Sequence, residues 1–310
     1  MRKFYSLQCL SWFALLTAII SCHQDPTIPA SGIPGTCQIY RIANVDKLVR
    51  DTTTYAYNAF GHVEEITYRQ WRNDTLKANT RQNFTYSADH FLVSRIDQTT
   101  LYGANGSQTR DNKGYTYSYQ DGLVQQVTIS NALSGQPLGY NKYTYESGKI
   151  KTYIEVNAQQ QPARSYTFDS SGKLTQVTEV EAITTVVTNG KIRNRKLANG
   201  TQVDYYFDDQ GQLLGDSTIT GSPQVTRKYE YDSYPYWNKT QLLFRGVPSL
   251  DLGGHSYVHN LTKTTVKQTM NGRTTQDILA YRHTYTKAGY SLGYARGDGF
   301  QQRIVYTNCL

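Results

Sequence analysis

The sequence has few cysteines and, after its first 22 residues, no long apolar run. Four of its 310 residues are cysteine. No later stretch approaches the roughly 20 apolar residues that a membrane helix requires. We therefore expect the folded part of the chain to be soluble, or at most tethered to a membrane.

The first 21 residues have the order of a secretory signal. Arg2 and Lys3 precede an apolar run from Leu10 to Ile20, and a segment of this kind is removed rather than folded. The run ends in Ile19-Ile20-Ser21-Cys22, which resembles the lipobox of bacterial lipoproteins. In that family the residue matching Cys22 is diacylated and becomes the new N-terminus, so the resemblance implies membrane attachment through lipid. An ordinary cleaved signal is the alternative.

The residues after Cys22 bear on the location of such a lipoprotein. His23 stands where inner-membrane retention commonly uses aspartate, so the resemblance favours the outer membrane. A surface-export signal uses a cluster of acidic residues, and Asp25 alone is a weak match to one. The sequence therefore does not decide between the periplasmic and the cell-surface side of the membrane. Residues 22–36 are rich in proline, glycine and serine, which is the composition of a tether.

The charge of the mature chain is mild. The net charge of +8 falls to about +6 when Arg2 and Lys3 leave with the signal. Acidic residues are interspersed with the basic ones, so nucleic acid is not an expected partner, whereas phosphate or acidic glycan at the cell envelope stays open. No cofactor is predicted.

The remaining cysteines lie at the two ends of the folded region. Cys9 leaves with the signal and Cys22 takes lipid, which leaves Cys37 and Cys309. In an oxidising compartment these two should pair, which requires the first and last strands to be neighbours. Two free thiols are the alternative.

One stretch, YTFDSSGKLTQV from Tyr166 to Val177, predicts a complete β-hairpin. Tyr166 and Phe168 alternate with polar residues, the segment Asp169–Gly172 has turn chemistry, and Leu174 starts the return strand. Variants recur along most of the chain. Their turns centre on Gly61, His90 in the glycine place, Gly122, Gly148, Gly172, Gly190 and Gly211.

The predicted turns have two lengths. In Asp169–Gly172 and Asp208–Gly211, the aspartate can accept backbone N–H bonds while glycine supplies positive φ in a longer, bulged turn. The pairs Asp121-Gly122, Ser147-Gly148 and Asn189-Gly190 suit two-residue turns. Tyrosine outnumbers phenylalanine by 27 to 9, so most rings carry a hydroxyl that needs a partner.

The units FDSSGKL (168–174) and FDDQGQL (207–213) resemble YD or Rhs-type repeats. The wider layout of lipobox, successive hairpins and terminal cysteine is similar to Bacteroidota lipoproteins of unknown function with a porin-like β-fold. Some units depart from the repeat: Glu146 follows Tyr145, and Val187 stands where an aromatic residue is expected. The resemblance implies an architecture and no particular activity.

We therefore divide the chain into a signal peptide (1–21), a lipidated cysteine with its tether (22–36) and a single all-β domain (37–310). The domain is predicted to be an up-and-down antiparallel meander of roughly 14 to 18 strands, strongly curved or closed as a barrel. A short helical or irregular insertion is expected near residues 234–254. A transmembrane barrel is not expected, because no strand shows a sustained aliphatic lipid face.

The repeat is interrupted between residues 222 and 260. This stretch is rich in aromatic residues and includes a short helix predicted over Trp237 to Phe244. We expect it to pack across an open end of the sheet, with a ligand site as the alternative. The candidate binding residues are Tyr234, Tyr236, Trp237, Tyr257 and His255.

Other motifs predict little chemistry. Gly289 to Gly293 match the G-x-S-x-G nucleophile elbow, but no histidine follows Ser291, as that triad order requires. His255 and His259 stand four residues apart, yet the adjacent Gly253 and Gly254 favour a loop over the helical turn that a zinc site would need. No catalytic or metal-binding residue is therefore predicted.

Two charged groups share strand faces. Glu179 and Glu181 lie on one face, and so do Lys191, Arg193 and Arg195. The basic triplet suits phosphate or uronate, with a solvated face as the alternative.

Three functions remain. The first is a non-catalytic envelope binding module for a glycan, peptide or small ligand. The second is a structural or assembly component of an envelope complex. The third is a hydrolase whose carboxylates cannot be paired from sequence.

The cysteine pair gives the first testable prediction. A bridge between Cys37 and Cys309 closes a very long loop and should stabilise the fold by about 4 to 5 kcal/mol in the chain-entropy model. Non-reduced protein should run differently from reduced protein on a denaturing gel, and Cys309→Ser should abolish the shift. Equal mobility of the two wild-type samples would show free thiols.

Overall fold

A computed structural model describes residues 38–220, 223–235, 244–253, 259–287 and 289–307. The described residues form 20 β-strands and include no helix long and apolar enough to cross a membrane. The strands, in chain order, are β1 Gln38–Val45, β2 Val49–Tyr57, β3 Val63–Arg72, β4 Thr75–Tyr86, β5 Leu92–Tyr102, β6 Gln108–Gln120, β7 Leu123–Asn131, β8 Pro137–Glu146, β9 Lys149–Asn157, β10 Pro162–Phe168, β11 Leu174–Glu179, β12 Ala182–Thr188, β13 Lys191–Leu197, β14 Gln202–Phe207, β15 Leu213–Ile219, β16 Gln224–Pro235, β17 His259–Met270, β18 Arg273–Tyr285, β19 Ser291–Arg296 and β20 Gln301–Thr307.

The predicted hairpin is confirmed. Strands β10 and β11 pair antiparallel, with Tyr166 opposite Val177 and Phe168 opposite Leu174. The carboxylate of Asp169 accepts the N–H groups of Ser171 and Lys173 at 2.8 and 3.0 Å. The aspartate therefore fixes the turn by satisfying backbone donors.

Both predicted turn lengths are confirmed as well. Asp121 and Gly122 both have positive φ, at 52° and 76°, which is the conformation of a two-residue type I′ turn. His90 has a φ of 64°, so it takes the left-handed conformation that glycine takes in the related longer turns. Tight reversals of these two kinds join the two strands of each of these hairpins.

The first strand pairs with the last. The register of β1 and β20 runs from Gln38 opposite Thr307 to Val45 opposite Gln301. Paired registers continue from β1 to β11 and from β12 to β20, and β11 lies beside β12. The 20 strands therefore form a nearly closed barrel, as predicted.

The predicted strand number was too low. The seven turns named from the sequence are present, but the turn at Asn271-Gly272 was not predicted, and neither was the turn from Thr286 to Tyr290. Its backbone bonds, from Thr286 N to Tyr290 O and from Gly289 N to Thr286 O, repeat the longer turn without its aspartate. In addition, β16 continues to Pro235, where an insertion was expected to begin.

One face of the sheet carries two apolar clusters. The first contains Val63, Ile66, Phe84 and Leu92, and Tyr117 packs against both clusters, which places them on the same face. The second contains Val124, Val127, Tyr143, Tyr153, Tyr166, Phe168, Leu174, Val177 and Ile192.

The residues 244–253 show that this face is the inner one. Phe244 packs against the first cluster, and Val247, Leu250 and Leu252 pack against the second. A segment this short can contact β3–β5 and β10–β13 together only from the concave side. Elsewhere the inward side chains, such as Tyr68 and Thr80, are half-buried, so solvent reaches the inner surface.

Tyrosine hydroxyls link neighbouring hairpins. Near the end of several even-numbered strands, a tyrosine donates a hydrogen bond to a carbonyl near the start of the preceding strand, which belongs to the previous hairpin. The pairs in the described residues are Tyr57 with Ile39, Tyr86 with Val63, Tyr119 with Leu92, Tyr145 with Val124, Tyr231 with Leu213 and Tyr306 with Ser291.

We expect Tyr145→Phe to destabilise the barrel by about 1 to 2 kcal/mol, because it leaves the carbonyl of the fully buried Val124 without this donor. Tyr206→Phe is the control, since that ring is 53% exposed and should change stability by less than about 0.5 kcal/mol. Urea unfolding measures both variants.

The stability of wild type and that of Tyr145→Phe should depend differently on pH. Burial raises the pKa of Tyr145 to about 12, above the ordinary value of about 10. This contribution is complete below the unfolded-state pKa and is lost as pH rises through the folded-state pKa. The stability difference between wild type and Tyr145→Phe should therefore shrink between about pH 10 and about pH 12, and a constant difference would contradict this account.

Candidate functional site

Residues 244–253, here called the lid segment, lie across one end of the barrel. They belong to the connection between β16 and β17, but their backbone bonds reach distant hairpins. Val124 N donates to Gly246 O at 2.8 Å, and Ile192 N donates to Gly253 O at 3.0 Å. We call this end, where the turns at Gly61, Gly122, Gly172 and Gly190 lie, the capped end.

Side chains hold the lid segment at two places. Phe244 stacks on Phe84 with ring centroids 5.7 Å apart. The guanidinium of Arg245 lies 4.5 Å from the centre of the Phe91 ring and donates to Asp89 O at 2.7 Å. These contacts confirm, for residues 244–253, the expectation that the interruption of the repeat packs across an end of the sheet.

The basic triplet is not a solvated face. Lys191 is buried and its Nζ lies 2.6 Å from Asp251 Oδ2 in the lid segment. Arg195 pairs with Glu179, and Arg193 lies over the Phe207 ring at 5.0 Å. Lys191 and Arg195 are thus used inside the protein because the lid segment and β11 bring carboxylates to them, so the triplet does not present three free charges to phosphate or uronate.

A cavity of about 360 Å³ lies near the other end, between β9 and β13. Its lining includes Glu155, Arg164, Glu179 and Arg195. Arg164 lies 3.7 Å from Glu155 and 3.6 Å from Glu179. Arg195 also pairs with Glu179, so both carboxylates of the cavity are engaged in ion pairs with arginine.

The inner surface also carries a continuous group of aromatic rings, here called the aromatic strip. Tyr234 stacks on Tyr285 at 4.3 Å, and His283 contacts Tyr285 at 6.0 Å and Tyr294 at 5.2 Å. Tyr294 in turn contacts Tyr281 at 5.4 Å and Phe300 at 5.6 Å. The strip consists of Tyr234, Tyr281, His283, Tyr285, Tyr294 and Phe300.

The strip extends from the capped end towards the other end. Residues 281, 283 and 285 alternate along β18, so their side chains share its less exposed face. At the capped end, the Tyr285 hydroxyl donates to Asp232, and burial together with this carboxylate raises the pKa of Tyr285. Five of the rings are half-buried and Tyr234 is 45% exposed, so the strip is accessible.

A row of polar side chains begins beside Tyr294, in the middle of the aromatic strip, and crosses the neighbouring strands. Tyr294 lies opposite Gln302, Gln302 opposite Asn44, Asn44 opposite Asp51, and Asp51 opposite Gln70. Gln302 donates to Asn44 at 3.0 Å, and Asn44 donates to Asp51 at 2.8 Å. We call Gln302, Asn44, Asp51 and Gln70 the polar row.

Asp51 is the carboxylate of the polar row. Its partial burial raises its pKa, and the hydrogen bond from Asn44 opposes that effect. The row therefore offers acceptors on its carboxylate and amide oxygens and donors on its amide nitrogens.

Of the residues predicted to bind ligand, Tyr234 lies in the aromatic strip. Tyr236, Trp237, Tyr257 and His255 lie outside the described residues, as do Cys22, Cys37 and Cys309, and so does most of the helix predicted over Trp237 to Phe244. Residues 244–253 are irregular, as expected for an insertion.

Ser291 does not form a nucleophile elbow. It is 3% exposed, accepts the N–H of Gly293 at 3.2 Å and opens strand β19 instead of preceding a helix. His283 Nε2 contacts Leu261 O at 2.7 Å, and His259 contacts Gln212. The described residues contain no group of three or more His, Cys, Asp or Glu suited to a metal ion.

Sequence reasoning missed most of the aromatic strip. A usable signal was present, because Tyr281, His283 and Tyr285 alternate with other residues and must share one strand face. The polar row had no such signal, since its four members come from four different strands, three near the start of the chain and one near its end.

The fold therefore defines a large, nearly closed, all-β barrel with one capped end. No family model matches the chain. A curated relative, the tRNA3(Ser)-specific nuclease WapA of Bacillus spizizenii, is 22% identical over an alignment of 224 residues, which covers 64% of this chain. The chain spans only 8% of the length of that relative.

Two solved structures that the chain matches are porin-like proteins from Bacteroides. A porin-like protein from Bacteroides uniformis is 11% identical, with a TM-score of 0.37, and the match covers 87% of this chain and 97% of that one. A porin-like protein from Bacteroides vulgatus is 9% identical, with a TM-score of 0.31, and the match covers 87% and 98%.

Gly246→Ala should release the lid segment. Gly246 has a φ of +74°, and an added Cβ would lie 2.3 Å from Gly122 O and 2.9 Å from the Phe91 ring. The control is Gly135→Ala, because Gly135 has nearly the same φ, +71°, with open space around it. Both variants carry the backbone cost of positive φ, but only Gly246→Ala breaks a contact between the lid and the barrel.

Limited proteolysis checks this prediction. Gly246→Ala should be cleaved within residues 236–258 faster than wild type, while Gly135→Ala should be cleaved there at the wild-type rate. Equal cleavage of the two variants would show that the lid segment does not depend on this close approach.

Proposed function

We propose that the protein is an envelope-anchored, non-catalytic binding module that holds its ligand on the inner surface of the barrel. The observation that carries the proposal is the aromatic strip, a set of accessible rings beside polar groups on a concave surface. Concave sites with aromatic walls and a few placed polar groups are the usual form of ligand sites. Tyr234, a predicted ligand residue, is part of it.

A lipid on Cys22 would anchor the module to the outer membrane, on its periplasmic or its cell-surface side. The basis is the lipobox-like sequence Ile19–Cys22. Gln38 donates to Gly61 O at 3.3 Å, so the described chain enters the barrel at the capped end. This supports an orientation in which the capped end is nearer the membrane and ligand enters from the other end.

The proposed disulfide would close the barrel at the same place. Gln38 pairs with Thr307; in the sequence Cys37 is the residue before Gln38, and Cys309 is two residues after Thr307. Pairing of the terminal strands is the condition that such a bridge requires, and it supports the proposal.

A catalytic role receives less support. The carboxylates of Glu155 and Glu179 share the cavity near β9, but arginines lie beside both. Paired carboxylates of this kind serve structure more readily than they serve general acid catalysis. We therefore assign the cavity a structural role.

The test is a binding panel with a blocked interior. Full-length protein in a detergent without a sugar head group is presented to an oligosaccharide array, a short-peptide library and a metabolite mixture, with native mass spectrometry as the readout. Gln302→Trp places a bulky ring on the inner surface, and Gln301→Trp, at the exposed adjacent position, is the matched control.

The proposal predicts that a ligand from at least one of the three classes binds and that the mass of this ligand is unchanged on release. Gln302→Trp should abolish binding, whereas Gln301→Trp should preserve it. Failure of all three classes to bind would overturn the proposal. So would equal binding to both variants, and cleavage of the ligand would contradict the non-catalytic role.

A further inference from the structure

We infer that the ligand is a neutral glycan whose sugar rings lie on the aromatic strip while their hydroxyls bind the polar row. This inference rests on the proposed function, and it goes further by naming the ligand class and the residues that select it. It depends on three features: the placement of the rings, the chemistry of the row, and the balance of charge around both.

The rings form an elongated platform. Tyr281 and Tyr285 are four residues apart on β18, which corresponds to about 13 Å along the strand, and Phe300 lies beyond them towards the uncapped end. Sugar rings present flat faces of C–H groups, which pack against the negative faces of aromatic rings. An elongated platform of this kind suits several linked sugars better than one compact molecule.

The polar row supplies the second half of the site. Its four members occupy directly opposed positions on neighbouring strands, about 4.8 Å apart at each step. A sugar hydroxyl both donates and accepts hydrogen bonds, and neighbouring hydroxyls match the paired oxygen and nitrogen atoms of amides. Amides and one carboxylate therefore fit a hydroxyl-rich ligand.

The charges around the strip disfavour an acidic ligand. Arg296 lies 4.7 Å from the centre of the Phe300 ring, but its guanidinium is 2.7 Å from Asp298. Asp232 lies at the capped end of the strip, and Asp51 lies in the polar row. Three carboxylates thus accompany this guanidinium, which is already paired, so these groups favour a neutral ligand over phosphate or uronate.

Other classes of chain fit less well. Single-stranded nucleic acid also stacks on aromatic rings, but it requires a positively charged groove, and this site has none among its described residues. Extended peptides commonly add to an exposed sheet edge, whereas β18 and β19, which carry most of the strip, are paired on both sides. A neutral glycan needs neither feature.

The experiment compares neutral and acidic oligosaccharides with wild type and three variants. Tyr294→Ala removes the ring at which the strip meets the row, and Asp51→Asn changes the row with almost no change of shape. Tyr206→Ala is the control on the exposed side of β14. Circular dichroism and urea unfolding confirm that each variant is folded, and titration calorimetry gives affinities for the best glycan on the array.

We expect neutral glycans to bind, with affinity reduced about ten-fold or more in Tyr294→Ala, several-fold in Asp51→Asn, and unchanged in Tyr206→Ala. Should Tyr294→Ala fail to fold, Asp51→Asn carries the test alone. Preference for acidic glycans, or neutral binding that both variants leave unchanged, would overturn the inference.

The panel separates this inference from the proposed function. If only peptides or metabolites bind, and Gln302→Trp blocks them, the inner surface is a binding site but the glycan assignment is wrong. If nothing binds, the proposed function itself fails.

Discussion

Pairing of the first strand with the last is the constraint on which the other features depend. An open meander of 20 strands would expose two long edges, each a template for association with another chain. The register of β1 with β20 covers both edges. The same register places Gln302 opposite Asn44, so the polar row crosses the seam between the two ends of the chain. The inner surface and its candidate site exist only because the barrel closes there.

Within the closed sheet, tyrosine has a role that phenylalanine cannot fill. A hydroxyl at the end of one hairpin binds a carbonyl at the start of the previous one, as in the pairs of Tyr86 with Val63 and Tyr119 with Leu92. Phe168 and Phe207 occupy equivalent places and contribute only their rings. The excess of tyrosine over phenylalanine thus reflects a repeated polar contact at the capped end, where buried carbonyls need donors.

Local features were predictable from the sequence, whereas long-range ones were not. The turn at Asp169–Gly172 and the left-handed His90 follow from the preferences of single residues. The destination of the lid segment does not, because nothing near Gly246 indicates that it will contact Gly122, more than a hundred residues earlier. Lys191 was misjudged for the same reason: its partner, Asp251, is in the lid segment. The aromatic strip was predictable in part. Its β18 residues alternate in the sequence, but Tyr294 joins them only through strand pairing.

The residues that stabilise the barrel and the residues of the candidate ligand site lie in different parts of the inner surface. Both apolar clusters lie near the capped end, where the lid segment completes them. Towards the other end, inward residues such as Tyr281 and Gln302 are half-buried and make polar or aromatic contacts instead of filling a core. Loss of a half-buried side chain removes less apolar contact than loss of a core residue. Substitutions in the middle of the strip can therefore alter ligand affinity while the two clusters keep the barrel folded.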